Sequence, residues 1–148
     1  MAGARQLLIF RHAKSAWDMD AGTDFERPLS QRGDKDAIKM GRWLHAQDLV
    51  PDLIVSSPAL RAYQTAVWLA EAFDIAETAI SFSDRIYEAE LTALKKILAV
   101  CPPEAQRVVL VGHNPGLEDL LGYLCTRVDH GDDGKLLMPA TVAVINLP

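Results

Sequence analysis

Residues 7–14 read Leu-Leu-Ile-Phe-Arg-His-Ala-Lys, an apolar run that changes abruptly to a guanidinium and an imidazole. The apolar part predicts a buried strand over residues 6–10. Arg11 and His12 then stand at the carboxyl end of that strand, which is where open α/β sheets bind their ligands. The pair becomes informative if other polar residues follow other strands in the same way.

Strand and helix patterns alternate along the rest of the chain. Further strands are predicted over residues 53–55, 79–82, 108–111 and 141–147, with a long loop over 11–29 and a polar turn over 129–135. Helices are predicted from Ser30 to about Gln47, from Ser57–Pro58 to about Phe73, over 91–98, and from Asn114–Pro115 to Leu124, with Ser30, Ser57 and Asn114 as N-caps. The alternation predicts a single domain over residues 1–148, an α/β three-layer sandwich in which helices flank a mainly parallel central sheet.

Such a sheet would bring several polar side chains to one edge, because all parallel strands point their carboxyl ends the same way. Arg61, Glu88 and His113 each follow a predicted strand, as Arg11 and His12 do. Two arginines and two histidines at one edge would repel one another unless an anion lay among them. Arginine's planar fork suits phosphate oxygens, and nearby helix N-termini would add N–H donors. A phosphoryl group is therefore the predicted ligand.

The histidines extend this prediction from binding to chemistry. An unperturbed imidazole has a pKa of about 6.5, so much of it is neutral and nucleophilic near pH 7. His12 on a rigid strand end could attack phosphorus and form a phosphohistidine. Arg11, Arg61 and His113 would neutralise the charge on the phosphoryl oxygens, a mechanism that needs neither a metal nor a cofactor.

At this point the sequence resembles the histidine phosphatases, a family that includes phosphoglycerate mutases and the small SixA-type phosphohistidine phosphatases. The resemblance spans nearly the whole chain, in the family's order. It rests on five stretches: residues 8–15 (LIFRHAKS), 27–30 (RPLS), 56–66 (SSPALRAYQTA), 87–88 (YE) and 111–114 (VGHN).

The resemblance implies a phosphoglycerate mutase-like fold and a role for each matching residue. His12 would be the phosphorylated nucleophile, Arg11, Arg61 and His113 would bind the phosphoryl oxygens together with Asn114, and Glu88 matches a frequent proton donor. Ala13 departs from the family's common Arg-His-Gly, a replacement that suits the SixA-like branch. The chain also lacks the long insertions that cover small substrates in mutases. This implies an open site, hydrolysis rather than mutase chemistry, and a phosphohistidine-bearing protein as substrate.

Two questions stay open at the level of sequence. The proton donor is Glu88, Asp18 or Glu26, or none is needed, because a phosphoramidate leaving group can itself be protonated. A helix N-terminal acid is an equally good interpretation of Glu88. Hydrolysis of a small phosphorylated metabolite, or phosphate binding without turnover, are the alternatives to a protein phosphatase. Lys14 and Ser15 either contact substrate or belong to a solvated loop.

Composition and short motifs limit which partners, metals and cellular compartment can be predicted. The 148 residues carry a net charge of −5 with a pI near 5.3, which argues against broad nucleic-acid binding. No signal peptide or membrane span is evident, so a cytoplasmic monomer or weak oligomer is predicted. Cys101 and Cys125 form no CxxC pair and are predicted to be buried apolar side chains. The histidines lack HExxH spacing, and residues 129–140 fail the EF-hand pattern, so no metal site is predicted.

Overall fold

A computed structural model describes residues 5–16, 22–125 and 137–147. The strands are β1 (Arg5–Arg11), β2 (Leu53–Ser56), β3 (Ser81–Phe82), β4 (Arg107–Gly112) and β5 (Val142–Leu147). The α-helices are α1 (Gln31–Ala46), α2 (Leu60–Ala72), α3 (Leu91–Ala99) and α4 (Gly116–Leu124), and single 3₁₀ turns lie at Glu77–Ala79 and Asp84–Ile86.

The strands form one sheet in the order β3-β2-β4-β1-β5. The β1–β4, β4–β2 and β2–β3 pairs are parallel, and β5 pairs antiparallel with β1. The predicted mainly parallel sheet is therefore confirmed, and β5 is its one antiparallel member among the described strands. The carboxyl ends of β1, β2 and β4 lie side by side, because Ser56 and Phe10 both pair with Val111.

Alternation along β1 explains the three layers. Leu7 and Ile9 pack in one apolar cluster with residues of α3 and α4, whereas Leu8 and Phe10 pack in another with residues of α1 and α2. All four side chains are at most 2% exposed. Successive strand residues point to opposite faces, so a strand that is apolar at every position must be covered on both sides. The predicted sandwich is confirmed.

Three local predictions need correction. The predicted strand over 79–82 is reduced to Ser81–Phe82, because the chain first makes the 3₁₀ turn at Glu77–Ala79. Helix α2 starts two residues later than predicted, with Ala59 as its N-cap, and α4 has Pro115 as its N-cap. Ser57 and Asn114 thus lie before the caps: the Ser57 hydroxyl accepts from the Ala59 amide and also bonds to His113, and the Asn114 amide donates to the Leu137 carbonyl.

Other expectations hold or are refined. Ser30 is the predicted N-cap of α1, and its hydroxyl accepts from the Gly33 amide at 3.0 Å. Cys101 and Cys125 are free thiols, half-buried rather than fully buried, and both pack against the α3–α4 cluster. Across the described ranges, no helix has both the length and the apolar composition that crossing a membrane requires.

Candidate active site

The two histidines predicted to meet at the sheet edge do meet there. The His12 amide donates to the Gly112 carbonyl at 3.1 Å, which extends the β1–β4 pairing past the strand ends. The Ser57 amide does the same toward Val111 at 3.0 Å. As a result the rings of His12 and His113 lie side by side, with centroids 5.1 Å apart and ring planes tilted by 53°. Backbone pairing, rather than loop conformation, sets the distance between the two imidazoles.

The His12 ring is held in one tautomer. Its Nδ1 lies 2.7 Å from the carbonyl oxygen of Ala13, and a carbonyl can only accept, so Nδ1 carries the proton. Nε2 is left with its lone pair. His12 is 7% exposed. Burial, with smaller contributions from the charges of Arg61, Arg11 and Arg27, lowers the pKa of His12 from 6.5 to about 4 against the opposing effect of the Ala13 hydrogen bond. His12 is therefore neutral and nucleophilic at neutral pH.

His113 is held by a serine. Its Nε2 lies 2.8 Å from Ser57 Oγ, which also accepts from the Ala59 amide at 3.2 Å. The serine hydroxyl can donate to Nε2, and in that tautomer the ring proton is on Nδ1, a buried atom with no hydrogen-bond partner within the described chain. Burial, then the neighbouring His12 and Arg61, lowers the pKa of His113 to about 3.

Arg61 is oriented by a carboxylate that the sequence did not single out, Asp24. Its Nη1 donates to the Asp24 carbonyl at 2.7 Å and its Nη2 to Asp24 Oδ2 at 3.0 Å. Asp24 also accepts from the Tyr87 hydroxyl at 2.7 Å and from Arg27 Nη2 at 3.0 Å. The Tyr87 hydrogen bond, with smaller contributions from the two arginines, lowers the pKa of Asp24 to about 2. The same bond raises the pKa of Tyr87 to about 12.

Arg11 is fixed by the segment that precedes β5. Its Nη1 donates to the Leu137 carbonyl at 3.0 Å, and the Asn114 side-chain amide donates to the same oxygen at 2.9 Å. The Leu137 amide in turn donates to Glu118 Oε2 at 2.9 Å. Burial lowers the pKa of Arg11, and the charge of Glu118 opposes this shift. Arg11 Nε and Asn114 Oδ1 are buried without a hydrogen-bond partner among the described residues.

These groups open into a cavity of about 620 Å³ whose lining is strongly cationic. Besides both histidines and Asn114, its lining includes the five basic residues Arg11, Lys14, Arg27, Arg32 and Arg61. Asp36 is the one carboxylate residue among those that line it. Lys14 and Ser15 both line this cavity, and Arg27 Nη1 donates to Ser15 Oγ. Such a lining suits a small, multiply charged anion.

The fold does not bring the described candidate proton donors to the lining of this cavity. Glu88 is exposed, has a left-handed backbone with φ of 55°, and is not among the residues that line the cavity. Glu26 is exposed and accepts from the Thr23 hydroxyl. Asp18 lies outside the described residues. The proton donor is therefore still an open question.

Asp24 and Glu118 are the members of the site that sequence reasoning missed. Asp24 stands in the loop before Arg27, in a stretch with several other acids. Glu118 lies in the first turn of α4, where an acid also has an ordinary local reason to occur. The unusual length of the loop over residues 11–29 was the one signal for the first of them.

Comparison with known proteins agrees with this geometry. Residues 7–99 match the family model described as the histidine phosphatase superfamily (branch 1). The chain is 27% identical to the phosphohistidine phosphatase SixA of Escherichia coli over 143 residues, which covers 96% of the chain and 85% of SixA. It is 32% identical over 129 residues to an uncharacterized chloroplastic protein of Arabidopsis thaliana, covering 82% of the chain but 59% of that longer protein.

A solved structure extends the comparison to three dimensions. The structure of a proposed phosphohistidine phosphatase SixA from Agrobacterium tumefaciens superimposes with a TM-score of 0.83 at 30% identity. The match covers 97% of this chain and 92% of that one. The predicted fold class and the predicted resemblance are both confirmed.

Proposed function

Because the chain belongs to the histidine phosphatase superfamily, we propose that it is a phosphatase that forms a covalent phosphohistidine on His12. Its proposed substrate is phosphohistidine in a protein. The similarity to SixA supports this substrate class. The observation that carries the mechanism is the state of His12, a neutral ring at a cationic cavity whose Nδ1 proton is held by Ala13 and whose Nε2 keeps its lone pair.

The reaction has two displacements at phosphorus. In the first, Nε2 of His12 forms a bond to phosphorus while the bond from phosphorus to the substrate imidazole breaks, and the leaving nitrogen takes up a proton. In the second, a water oxygen bonds to phosphorus, the bond to Nε2 breaks, and orthophosphate leaves with His12 restored. The chain supplies the nucleophile of the first step and the surrounding charge in both, and water is the nucleophile of the second.

Charge stabilisation is assigned to Arg11, Arg61, His113 and Asn114. Each retains a buried polar atom without a partner in the described chain, namely Nε of both arginines, Nδ1 of His113 and Oδ1 of Asn114. Because Arg11, Arg61 and His113 line the cavity, their side-chain N–H groups can donate to phosphoryl oxygens, where pre-positioned donors are worth most. The orphan oxygen of Asn114 cannot, so Asn114 would reach the phosphoryl group only through the second hydrogen of its amide.

The leaving group reduces the need for a strong acid. A phosphorylated imidazole leaves through a basic nitrogen that water or a weak acid can protonate, whereas an alkyl phosphate leaves through an oxygen that needs a donor. The exposed position of Glu88 outside the cavity lining fits the first case better. This favours the phosphoramidate substrate over a small phosphate monoester.

The central experiment traps the intermediate. A protein phosphorylated on histidine with ³²P-labelled phosphoramidate is mixed with the enzyme, quenched without acid, digested and sequenced by mass spectrometry. We expect the label on His12, and we expect His12→Ala to abolish turnover. His45→Ala is the matched control, because His45 is an exposed imidazole on α1 and should leave turnover unchanged. Full activity of His12→Ala would exclude the covalent mechanism.

A substrate panel and a chelator complete the test. Phosphohistidine protein, sugar phosphates and nucleotides should be compared by kcat/KM, and tight phosphate binding without hydrolysis of any of them would indicate a binding module instead. Undiminished activity in EDTA is expected for a metal-independent reaction. Cytoplasmic location, a single domain, a monomeric or weakly oligomeric state, and the lack of nucleic-acid or membrane partners stay predictions.

A further inference from the structure

A second concavity adjoins the catalytic cavity. It has a volume of about 370 Å³, and its apolar wall is formed by Met40 and Trp43 of α1 together with Pro139 and Ala140. We refer to these four residues as the apolar shelf. Asp36 and Pro139 line both the shelf and the catalytic cavity, so the two concavities share a boundary. A ligand whose phosphoryl group lies in the cavity can therefore extend onto the shelf.

Two large apolar side chains, one on the shelf and one beside it, are exposed. Trp43 is 48% exposed, and Met138, which lines the catalytic cavity next to Pro139, is 45% exposed. Large apolar side chains that remain in water beside a charged site are typical of a surface that a partner covers. The catalytic cavity itself, with five cationic side chains in its lining, can recognise a phosphoryl group but little of the molecule that carries it.

The shelf is also fixed relative to the nucleophile. The Ala140 amide donates to the carbonyls of both Arg11 and His12 at 3.2 Å, with Ala140 in the left-handed region at φ 56°. Helix α1 is held on the same strand end, since the Ser30 amide donates to the Lys14 carbonyl at 2.9 Å. A group bound on the shelf would thus stand at a defined distance from His12 Nε2.

The charged side chains around the two concavities indicate which kind of substrate can bind there. Lys14 and Arg32 are exposed at the catalytic cavity, and Lys39 is exposed beside the shelf. Asp36, the carboxylate between the two concavities, pairs with Arg32 at 3.7 Å. A carrier that fits must therefore have acidic residues around its phosphorylated side chain and an apolar side chain to one side of it. A phosphorylated metabolite with no such group would leave the shelf uncovered.

We propose that the apolar shelf binds an apolar side chain of the phosphoprotein substrate, close in space to the phosphohistidine, and so selects protein over small-molecule substrates. This rests on the proposed function. Covering most of a leucine side chain contributes about 1.5 kcal/mol, which corresponds to about tenfold in affinity. The selection should therefore appear in KM for the protein-like substrate.

Synthetic peptides test this directly. Four acidic 15-residue peptides carry one histidine, phosphorylated with phosphoramidate, and one leucine placed three or four residues before or after it. A fifth has serine in place of the leucine, and free phosphohistidine is the small substrate. We expect at least one leucine peptide to exceed the serine peptide about tenfold in kcat/KM. Trp43→Ala should remove that difference while leaving free phosphohistidine within about twofold.

Tyr123→Ala is the matched control, since Tyr123 is an aromatic residue of α4 that is 57% exposed and lies outside the shelf. It should retain the leucine preference, and Trp43→Phe should retain part of it. Two results would show that the shelf does not bind a substrate side chain, without contradicting the proposed function. One is equal kcat/KM for leucine and serine peptides, and the other is an equal loss of kcat/KM on all substrates in Trp43→Ala. If the wild-type enzyme hydrolyses free phosphohistidine and every peptide at background rates, both proposals are wrong.

Discussion

The protonation of His12 gives the sharpest quantitative test of the site. With a pKa of about 4, about 90% of His12 is neutral at pH 5 in the free enzyme, whereas an imidazole with its ordinary pKa of 6.5 would be about 3% neutral. The two cases differ about 30-fold in the fraction of active nucleophile. Lowering the pH from 7.5 to 5 should therefore cost kcat/KM little through His12.

Two measurements check this expectation. The pH dependence of kcat/KM reports the free enzyme, so it should be recorded from pH 4 to 8 with an acid-stable aryl phosphate and corrected for the substrate's own ionisation. The Cε1 proton of His12, assigned by its loss in His12→Gln, should be titrated by NMR over the same range. The urea-unfolded chain supplies the reference titration.

The cause of the shift can be separated from its size. Burial is the largest contribution and the charge of Arg61 a smaller one, so Arg61→Met should raise the His12 midpoint only slightly. A midpoint above about 6 in the folded wild-type enzyme would refute the reasoning. A large rise in Arg61→Met would show instead that the arginine charges, rather than burial, keep the ring neutral.

The same shifts affect stability, with a definite sign. The folded pKa values of His12 and His113 lie below the ordinary 6.5, so between about pH 6.5 and 4 the unfolded chain binds more protons. The free energy of unfolding should therefore fall as pH falls through this window, by up to roughly 1.4 kcal/mol per pH unit for each histidine. Urea midpoints at pH 7, 6 and 5 measure the slope, which His113→Gln should reduce by about half.

Two further changes test how the site is supported. Glu118→Ala should lower kcat/KM about tenfold, because the Leu137 amide loses its acceptor. Glu118→Gln keeps an acceptor and should retain most activity. An equal loss of activity in both variants would show that the charge of Glu118 matters and its hydrogen bond does not. Gly33→Ala should destabilise the fold by roughly 1–3 kcal/mol in urea unfolding, because its methyl carbon would stand 2.0 Å from the Lys14 carbonyl. Gly122→Ala should stabilise α4 by up to about 1 kcal/mol, because no atom of a neighbouring element among the described residues lies within 4 Å of the added methyl carbon. An equal cost at both positions would contradict this explanation.

The elements that the sequence predicted well are those decided by local pattern and by burial. The uninterrupted apolar runs of β1 and β4 require cover on both faces, and that requirement alone leads to the three layers. Parallel strands then bring their carboxyl ends together, so the convergence of Arg11, His12, Arg61 and His113 follows from topology. Each of these four side chains could be placed without knowledge of any side-chain contact.

The helix-cap predictions that were wrong concern side chains with more than one possible hydrogen-bond partner. Ser57 and Asn114 are short polar residues next to proline, a pattern that predicts helix caps from neighbours alone. In the fold, the Ser57 hydroxyl keeps a local bond to the Ala59 amide but also bonds to His113 Nε2, 56 residues away, and the Asn114 amide donates to the Leu137 carbonyl, 23 residues away. A prediction that considers only adjacent residues has no means of weighing such competition.

The balance of charge at the site could not be predicted for the same reason. Repulsion among two arginines and two histidines suggested that an anion must lie between them. The structure lessens that repulsion in two ways before any ligand binds: burial keeps both rings neutral, and Asp24 bonds to one side of the Arg61 guanidinium.

Asp24 lessens the repulsion at the site by bonding to residues from distant parts of the chain. Arg61 lies 37 residues away and Tyr87 lies 63 residues away. Nothing in the local sequence distinguishes Asp24 from Asp18, Asp20 or Glu26. Because its carbonyl and carboxylate each accept one N–H, one from Nη1 and one from Nη2, Asp24 fixes the plane of the Arg61 guanidinium and leaves its other N–H groups to donate elsewhere. The residue that orients the phosphate-binding arginine is thus one that only the fold can identify.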